Sequence, residues 1–129
     1  MLCPCQSGRK AKACCLRFIQ GKQNAKTPVV LMRSRYTAYA LGGYGEYLFK
    51  TWLPAQRNNL SIADLSLKTV EWKRLDILAH SQDGDHGFVE FNAYFLEDGI
   101  TKKVHSEKSL FQRVNGHWYY VGAINTSKL

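Results

Sequence analysis

The four cysteines of this chain all fall within its first fifteen residues, as Cys3-Pro4-Cys5 and then, eight residues later, Cys14-Cys15. Two close pairs delivered by one short loop are the usual way a small segment supplies four thiolates to a tetrahedral zinc ion. Four sulfurs with no histidine among them favour zinc over magnesium, calcium or an open catalytic site. Neighbouring cysteines within each pair are badly placed to bond to each other, because a disulfide needs a specific Cα separation and dihedral. Crossed pairing, Cys3 with Cys14 and Cys5 with Cys15, stays open in an oxidising compartment. No apolar leader precedes Cys3, however, so the thiols are expected to be reduced, in the cytoplasm, and to hold a metal. Gln6-Ser7-Gly8 reads as a turn between the pairs. Four thiolates around one zinc carry a formal charge of about −2, which Arg9, Lys10, Lys12 and Arg17 are placed to offset. So small a segment has no core of its own, and the metal is expected to supply its folding energy.

The string CPCQSGRKAKACC resembles the SEC-C motif, the zinc module at the end of the bacterial preprotein translocase motor SecA. Further along, MRSRYTAYA (32–40), EYLFKTWLP (46–54), GFVEFNAYF (87–95), SEKSLF (106–111) and NGHWYYVGA (115–123) resemble the YchJ family of small bacterial proteins. Gln6 stands where that motif commonly has glycine, and the turn is expected to rest on Gly8. Some members of the family carry a second SEC-C motif at the C-terminus. None occurs in this sequence, so a function needing two zinc modules is not expected.

Charge is distributed unevenly. The chain has a net charge of +8. No acidic residue precedes Glu46, whereas Arg9, Lys10, Lys12, Arg17, Lys22, Lys26, Arg33 and Arg35 all do. The remainder is balanced. Such a block exceeds what one thiolate cluster needs and suits an anionic partner such as RNA, a lipid surface or an acidic protein face. Arg9, Lys10, Lys12, Arg17, Lys22 and Lys26 are the expected contacts. In SecA the SEC-C module is associated with the chaperone SecB, phospholipid and the ribosome. The resemblance therefore implies an adaptor that docks on the ribosome or on an export chaperone like SecB. Direct RNA binding is less expected, since no RNA-recognition aromatic motif is present.

The chain divides into a zinc-binding module at 1–22 and a domain at 27–129, with residues 21–26 as the expected hinge. Its length of 129 residues suits one core, and no apolar run is long enough to span a bilayer as a helix. Thr27-Pro28 predicts a helix start, N-cap followed by proline at N1, with a stop at Gly42-Gly43. A shorter helix is expected over Gly45–Trp52, and a weak one over Ser61–Leu67. Period-two patterning then predicts strands at Thr69–Ser81, Phe88–Glu97, Thr101–Val114 and Trp118–Asn125. Asp83-Gly84-Asp85, Asp98-Gly99 and Asn115-Gly116 separate them as hairpin turns. Helices followed by an antiparallel meander make an α+β fold. The resemblance to YchJ implies the same: a cone like nuclear transport factor 2, with helices covering a curved four-stranded sheet.

Two-residue turns at Asp98-Gly99 and Asn115-Gly116 would put Glu90, Asn92, Tyr94, His105, Glu107, Ser109, Phe111, Trp118 and Tyr120 on one face. Val89, Phe91, Ala93, Phe95, Val104, Leu110 and Val121 would form the other, apolar face. On this register Glu90 opposes Glu107 beside His105, a pairing that raises one carboxylate pKa and suits general acid–base work. Asn92, Tyr94, Ser109, Phe111, Trp118 and Tyr120 would line a pocket around it. The plainer alternative is a solvated strand face, and a turn longer by one residue would separate the two carboxylates. Small-molecule binding or catalysis in such a pocket is the alternative function. No dinucleotide or phosphate-binding loop and no serine nucleophile elbow is present.

Overall fold

The computed structural model describes residues 1–124. The first three helices are α1 (Leu16–Ile19), α2 (Pro28–Leu41) and α3 (Gly45–Lys50), and α4 (Ile62–Leu65) follows. Four strands complete the chain: β1 (Glu71–Asp83), β2 (His86–Leu96), β3 (Lys102–Val114) and β4 (His117–Ile124). They form one antiparallel sheet in the order β1-β2-β3-β4. The expected α+β cone is therefore present. The strand end expected at Asn125 lies outside the described residues.

Local chemistry explains the helix limits. The Thr27 side chain accepts a hydrogen bond from the Val30 N–H, Pro28 occupies N1, and α2 ends at Gly42. Ser61 caps α4 in the same way through the Asp64 N–H. α3 stops at Lys50, two residues short of the expected Trp52, because residues 51–53 leave the helix to pair with β4. The Tyr120 N–H donates to the Thr51 carbonyl at 2.8 Å, and the Leu53 N–H to the Tyr120 carbonyl at 2.8 Å.

α2 is unusual in being buried on nearly every side. Leu31, Met32, Tyr36 and Ala38 are in the core, and so are the polar Ser34, Arg35 and Thr37. A helix in that position has neighbours all round, and its polar groups need partners. Ser34 Oγ donates to the Leu31 carbonyl at 2.7 Å and lies 2.6 Å from the Tyr47 hydroxyl. On one side α2 packs on β1 and β2, on the other on α1 and the cysteine segment, whose four cysteines belong to the same core cluster. Residues 21–26 thus join two parts that share one core.

Curvature of the sheet follows from irregular pairing. Register shifts interrupt β1 between Trp72 and Arg74 and between Ile77 and Ala79, and interrupt the β3–β4 pair between Leu110 and Phe111. Extra residues of this kind bend a strand and increase its twist. Asn115 at φ 51° and Gly116 at φ 82° make the expected two-residue turn, and Phe111 faces Tyr120.

The turn at Asp98-Gly99 differs from the expectation. The Asp98 carboxylate accepts from the Ile100 N–H at 3.0 Å, the Thr101 N–H at 2.6 Å and the Thr101 hydroxyl at 3.0 Å. With the Glu97 N–H bonded to the Thr101 carbonyl at 3.0 Å, this turn holds three residues, Asp98 to Ile100. Register moves by one, so Glu107 opposes Phe91 and His105 opposes Ala93. Glu90 and Asn92 instead face Lys108 and Ser106 on the opposite side of the sheet. A one-residue slip turns every side chain of a strand over.

Gly45 lies against α4, where a Cβ would collide with the Ile62 carbonyl and the Ser66 hydroxyl. Gly45→Ala is expected to destabilise the fold by about 2–4 kcal/mol through displacement of α4, read as a lowered midpoint in urea unfolding. An unchanged midpoint would show that this close approach carries no stability.

Candidate functional site: a thiol cluster and a cavity on opposite sides of one helix

Cys3, Cys5, Cys14 and Cys15 are buried, and their sulfurs lie within 4.8 Å of one another. Cys5 Sγ is 3.6 Å from Cys14 Sγ, which is 3.9 Å from Cys15 Sγ. A disulfide would need about 2.05 Å, and all four thiols are free. The edge of a tetrahedron with metal–sulfur bonds of about 2.3 Å is about 3.8 Å. The spacing therefore fits a four-coordinate metal ion, and all four residues expected to hold one come together.

The loop is shaped for this. Gln6, at φ 70°, and Gly8, at φ 84°, both adopt left-handed backbone, so the turn rests on both residues and not on Gly8 alone. A non-glycine residue there costs about 1 kcal/mol, and the Gln6 side chain recovers part of this by donating to the Pro4 carbonyl at 3.1 Å. Ser7 Oγ lies 3.2 Å from Cys14 Sγ and accepts from the Arg9 N–H at 3.2 Å. Two residues of α2 reach the cluster, and sequence reasoning did not assign them to it. Arg33 Nη1 donates to the Cys5 carbonyl at 2.6 Å, and Thr37 Oγ1 is 3.7 Å from Cys3 Sγ. They are one helical turn apart, a spacing that signals a shared face only once the cluster's position is known.

Proton affinities in the cluster are pulled apart. A hydrogen bond from Cys15 lowers the Cys5 thiol to about 4, the reciprocal contact pushes Cys15 up, and burial pushes Cys3 up. Four thiolates cannot share so small a volume without a cation among them. Of the basic residues expected around it, Arg17 turns inward, its Nε donating to the Cys14 carbonyl at 3.1 Å and its guanidinium lying over Phe18. Arg9, Lys10, Lys12, Lys22 and Lys26 are exposed.

The opposite side of α2 covers a half-enclosed cavity of about 420 Å³. Its floor is the concave face of the sheet, with Trp72 from β1, Phe91, Ala93 and Phe95 from β2, and Tyr120 from β4. β3 contributes His105, Glu107 and Ser109, while Met32, Arg35 and Tyr39 of α2 form the roof with Trp52. Of the residues expected to line a pocket, Ser109 and Tyr120 do so. Phe111 is packed underneath, edge-on to Tyr120. Trp118 is buried facing a separate hollow near Phe18 and Lys50. Asn92 and Tyr94 lie on the convex face, where Asn92 accepts from the Ser106 hydroxyl at 2.6 Å. Of the expected acid–base group, Glu107 and His105 meet in the cavity, and Glu90 stands on the other side of the sheet.

Glu107 is the polar centre. Its carboxylate takes His105 Nε2 at 2.8 Å on one oxygen, and the Ser109 hydroxyl at 2.5 Å with the Tyr120 hydroxyl at 2.9 Å on the other. Burial works to raise its pKa, but these three partners outweigh burial and hold it below the usual carboxylate range. The same contact raises His105, against a smaller opposing effect of burial. Arg35, which the sequence offered only as a member of the basic block before Glu46, is 3% exposed. Nη1 donates to the Leu48 carbonyl at 2.8 Å and Thr51 Oγ1 at 2.6 Å. The guanidinium lies 4.9 Å from the Trp52 ring centroid and 4.6 Å from that of Tyr120.

A curved antiparallel sheet roofed by helices, with a four-thiol motif fixed to the main helix, defines a cone-shaped domain of the nuclear transport factor 2 type carrying a SEC-C module. Residues 27–123 match the family described as YchJ, middle NTF2-like domain, and residues 2–17 match the SEC-C motif. This chain belongs to the YchJ family. It is 39% identical over 127 residues to a UPF0225 protein of Serratia proteamaculans, covering 93% of this chain and 80% of that one. It is 40% identical over 124 residues to the UPF0225 protein YchJ of Shigella dysenteriae, with the same coverage of 93% and 80%. The solution structure of a SEC-C motif containing protein from Rhodopseudomonas palustris superposes with a TM-score of 0.87 at 32% identity, covering 96% of this chain and 98% of the other.

His105 should titrate above its ordinary midpoint near 6.5, and in Glu107→Gln that midpoint should fall, followed by imidazole NMR. A raised folded-state pKa stabilises the protein below the unfolded value and loses that contribution as pH rises through the folded one. The wild-type advantage over Glu107→Gln should therefore shrink as pH rises from about 6.5 through the raised His105 midpoint. An identical His105 midpoint in the two proteins would remove the pair from the electrostatics of the cavity.

Proposed function

We propose that this protein is a zinc-stabilised small-molecule-binding protein in which the cone domain carries the ligand and the cysteine module is structural. The observation that carries the reading is the cavity itself. It is about 420 Å³, walled by aromatic rings, and Arg35, His105, Glu107, Ser109 and Tyr120 converge on it. A largely apolar cavity with a few converging polar groups is the common form of a small-molecule site. No helix among the described residues is long and apolar enough to cross a membrane, and reduced thiols fit a cytoplasmic protein.

Zinc is the metal that best suits four closely spaced thiolates. Cys3, Cys5, Cys14 and Cys15 would fill its coordination sphere, which leaves no position for a substrate and gives the ion a structural role. Purified protein should contain one equivalent of zinc by elemental analysis. Cys14→Ser combined with Cys15→Ser should lose the metal and lower the thermal midpoint by about 5 °C or more. Metal-free protein that melts at the wild-type temperature would remove zinc from the account of stability. Native mass spectrometry of the gently purified holo-protein would test the binding role, the expected result being a retained non-covalent adduct lost on filling the cavity by Ala93→Trp.

A second reading is favoured by the exposed basic module. Arg9, Lys10, Lys12, Lys22 and Lys26 face solvent with no acid before Glu46, which supports docking on a polyanionic surface such as the ribosome or an export chaperone like SecB. Co-sedimentation with ribosomes across a salt series should then weaken steeply with salt, and again with Arg9→Glu plus Lys12→Glu. Equal retention on bare RNA would reassign the interaction to direct RNA binding. No retention at physiological salt would remove the ribosome as partner.

A further inference from the structure

Arg35 presents an imbalance that the fold does not resolve. Only 3% of the residue is exposed, so its cation is largely removed from bulk solvent. No carboxylate of the described residues lies within ion-pair distance of it. Only Nη1 is used, donating to the Leu48 carbonyl and the Thr51 hydroxyl. Nε and Nη2 make no close hydrogen bond among the described residues, although the Tyr39 hydroxyl lies beside the guanidinium. They are not sealed in either, because Trp118 Nε1 is the one buried side-chain donor there without a partner. Arg35 lines the cavity, so these two donors open onto it. Burying a cation without a partner is costly, and the rings of Trp52 and Tyr120 offset only part of that cost.

Glu107 acts on Arg35 only across the cavity and forms no direct pair with it. Both of its oxygens are occupied, one by His105 and the other by Ser109 and Tyr120. What remains is a fixed, planar pair of donors whose neighbouring surfaces are the apolar rings of Trp72, Phe91 and Phe95. The side edge of a guanidinium, Nε with Nη2, matches the two oxygens of a carboxylate. We propose that the cavity binds a compact planar carboxylate, its oxygens on Arg35 Nε and Nη2 and its unsaturated or aromatic body against Trp72, Phe91 and Phe95. This rests on the reading of the cavity as a ligand site and assigns the class of ligand. A phosphate fits less well, because the cavity offers one unpaired cation, no helix N-terminus and a carboxylate already present in Glu107.

The test uses zinc-loaded full-length protein labelled with ¹⁵N, following the indole N–H resonances of Trp52 and Trp72 during titration. The probes are benzoate and trans-cinnamate, their neutral amides benzamide and cinnamamide, and inorganic phosphate. The acids should saturate at millimolar concentration and bind about 10-fold or more tightly than their amides, the margin of a charge-assisted pair over a neutral one, while phosphate produces no saturable shift. Arg35→Gln should bring the acid-to-amide ratio to about 1. If that variant fails to fold, the wild-type ratio carries the test alone. Amides binding as tightly as acids, or phosphate binding more tightly than either acid, would overturn the carboxylate assignment and leave the cavity a small-molecule site. No shift from any probe at about 10 mM would overturn both readings together.

Discussion

Burial of α2 on two sides at once is the constraint on which the rest of this structure depends. The thiol cluster and the cavity are separate in chemistry and lie on opposite faces of a single helix of 14 residues. Arg33 and Thr37 point to the cysteines, Arg35 and Tyr39 to the cavity. A helix with no fully exposed residue has little freedom to rotate or slide, because either motion would break contacts on both sides. The Arg33 bond to the Cys5 carbonyl and the Thr37 contact with Cys3 therefore do more than hold a small module in place. They fix the rotation of the helix that aims Arg35 across the sheet. A disordered cysteine segment would leave Arg33 and Thr37 without these partners, and the roof of the cavity would lose its outer support.

What the cavity is made of depends on a different and smaller feature, the turn at Asp98. A two-residue turn would have placed Glu90 and Asn92 beside His105 and Glu107, and turned Phe91 and Phe95 away. The Asp98 carboxylate gathers two N–H groups and a hydroxyl from Ile100 and Thr101, and so holds a turn of three residues. As a result the concave face combines the apolar positions of β2 with the polar positions of β3. Neither strand alternates in isolation in a way that reveals this mixture. The polar side chains of β3 read as a solvated face until the turn shows that they lie over Phe91 and Phe95.

Legibility in the sequence followed the range over which each feature is encoded. The cysteine cluster was readable because four ligands within fifteen residues leave few ways to fold around anything other than a metal. The limits of α2 were readable from Thr27, Pro28 and Gly42, each acting within one helical turn. The Asn115-Gly116 turn was readable because both residues tolerate positive φ. Register at Asp98-Gly99 was not, since the same dipeptide serves a two-residue turn, and the choice lay with side-chain hydrogen bonds from Asp98 to residues beyond it. Arg35 was missed for a related reason. An arginine in a basic segment ordinarily extends its stem along the surface and its head into water. Only the approach of Trp52 and Tyr120, more than a dozen residues and a whole sheet away, converts it into a buried cation.

The polar groups of the core differ in how completely they are satisfied, and the difference separates structural sites from a ligand site. Ser34, Thr37, Ser109 and Glu107 each find protein partners, so their burial is balanced within the fold. Three donors hold Glu107 as an anion, and none of them is Arg35. That self-sufficiency has a consequence for Arg35. Were the carboxylate free, the shortest way to neutralise the buried guanidinium would be an ion pair across the cavity, which would close the space between helix and sheet. With Glu107 held by Ser109 and Tyr120 on its own side, and Arg35 held by Leu48 and Thr51 on the other, the two charges are kept apart. The cavity persists because each charged group is anchored to the wall behind it.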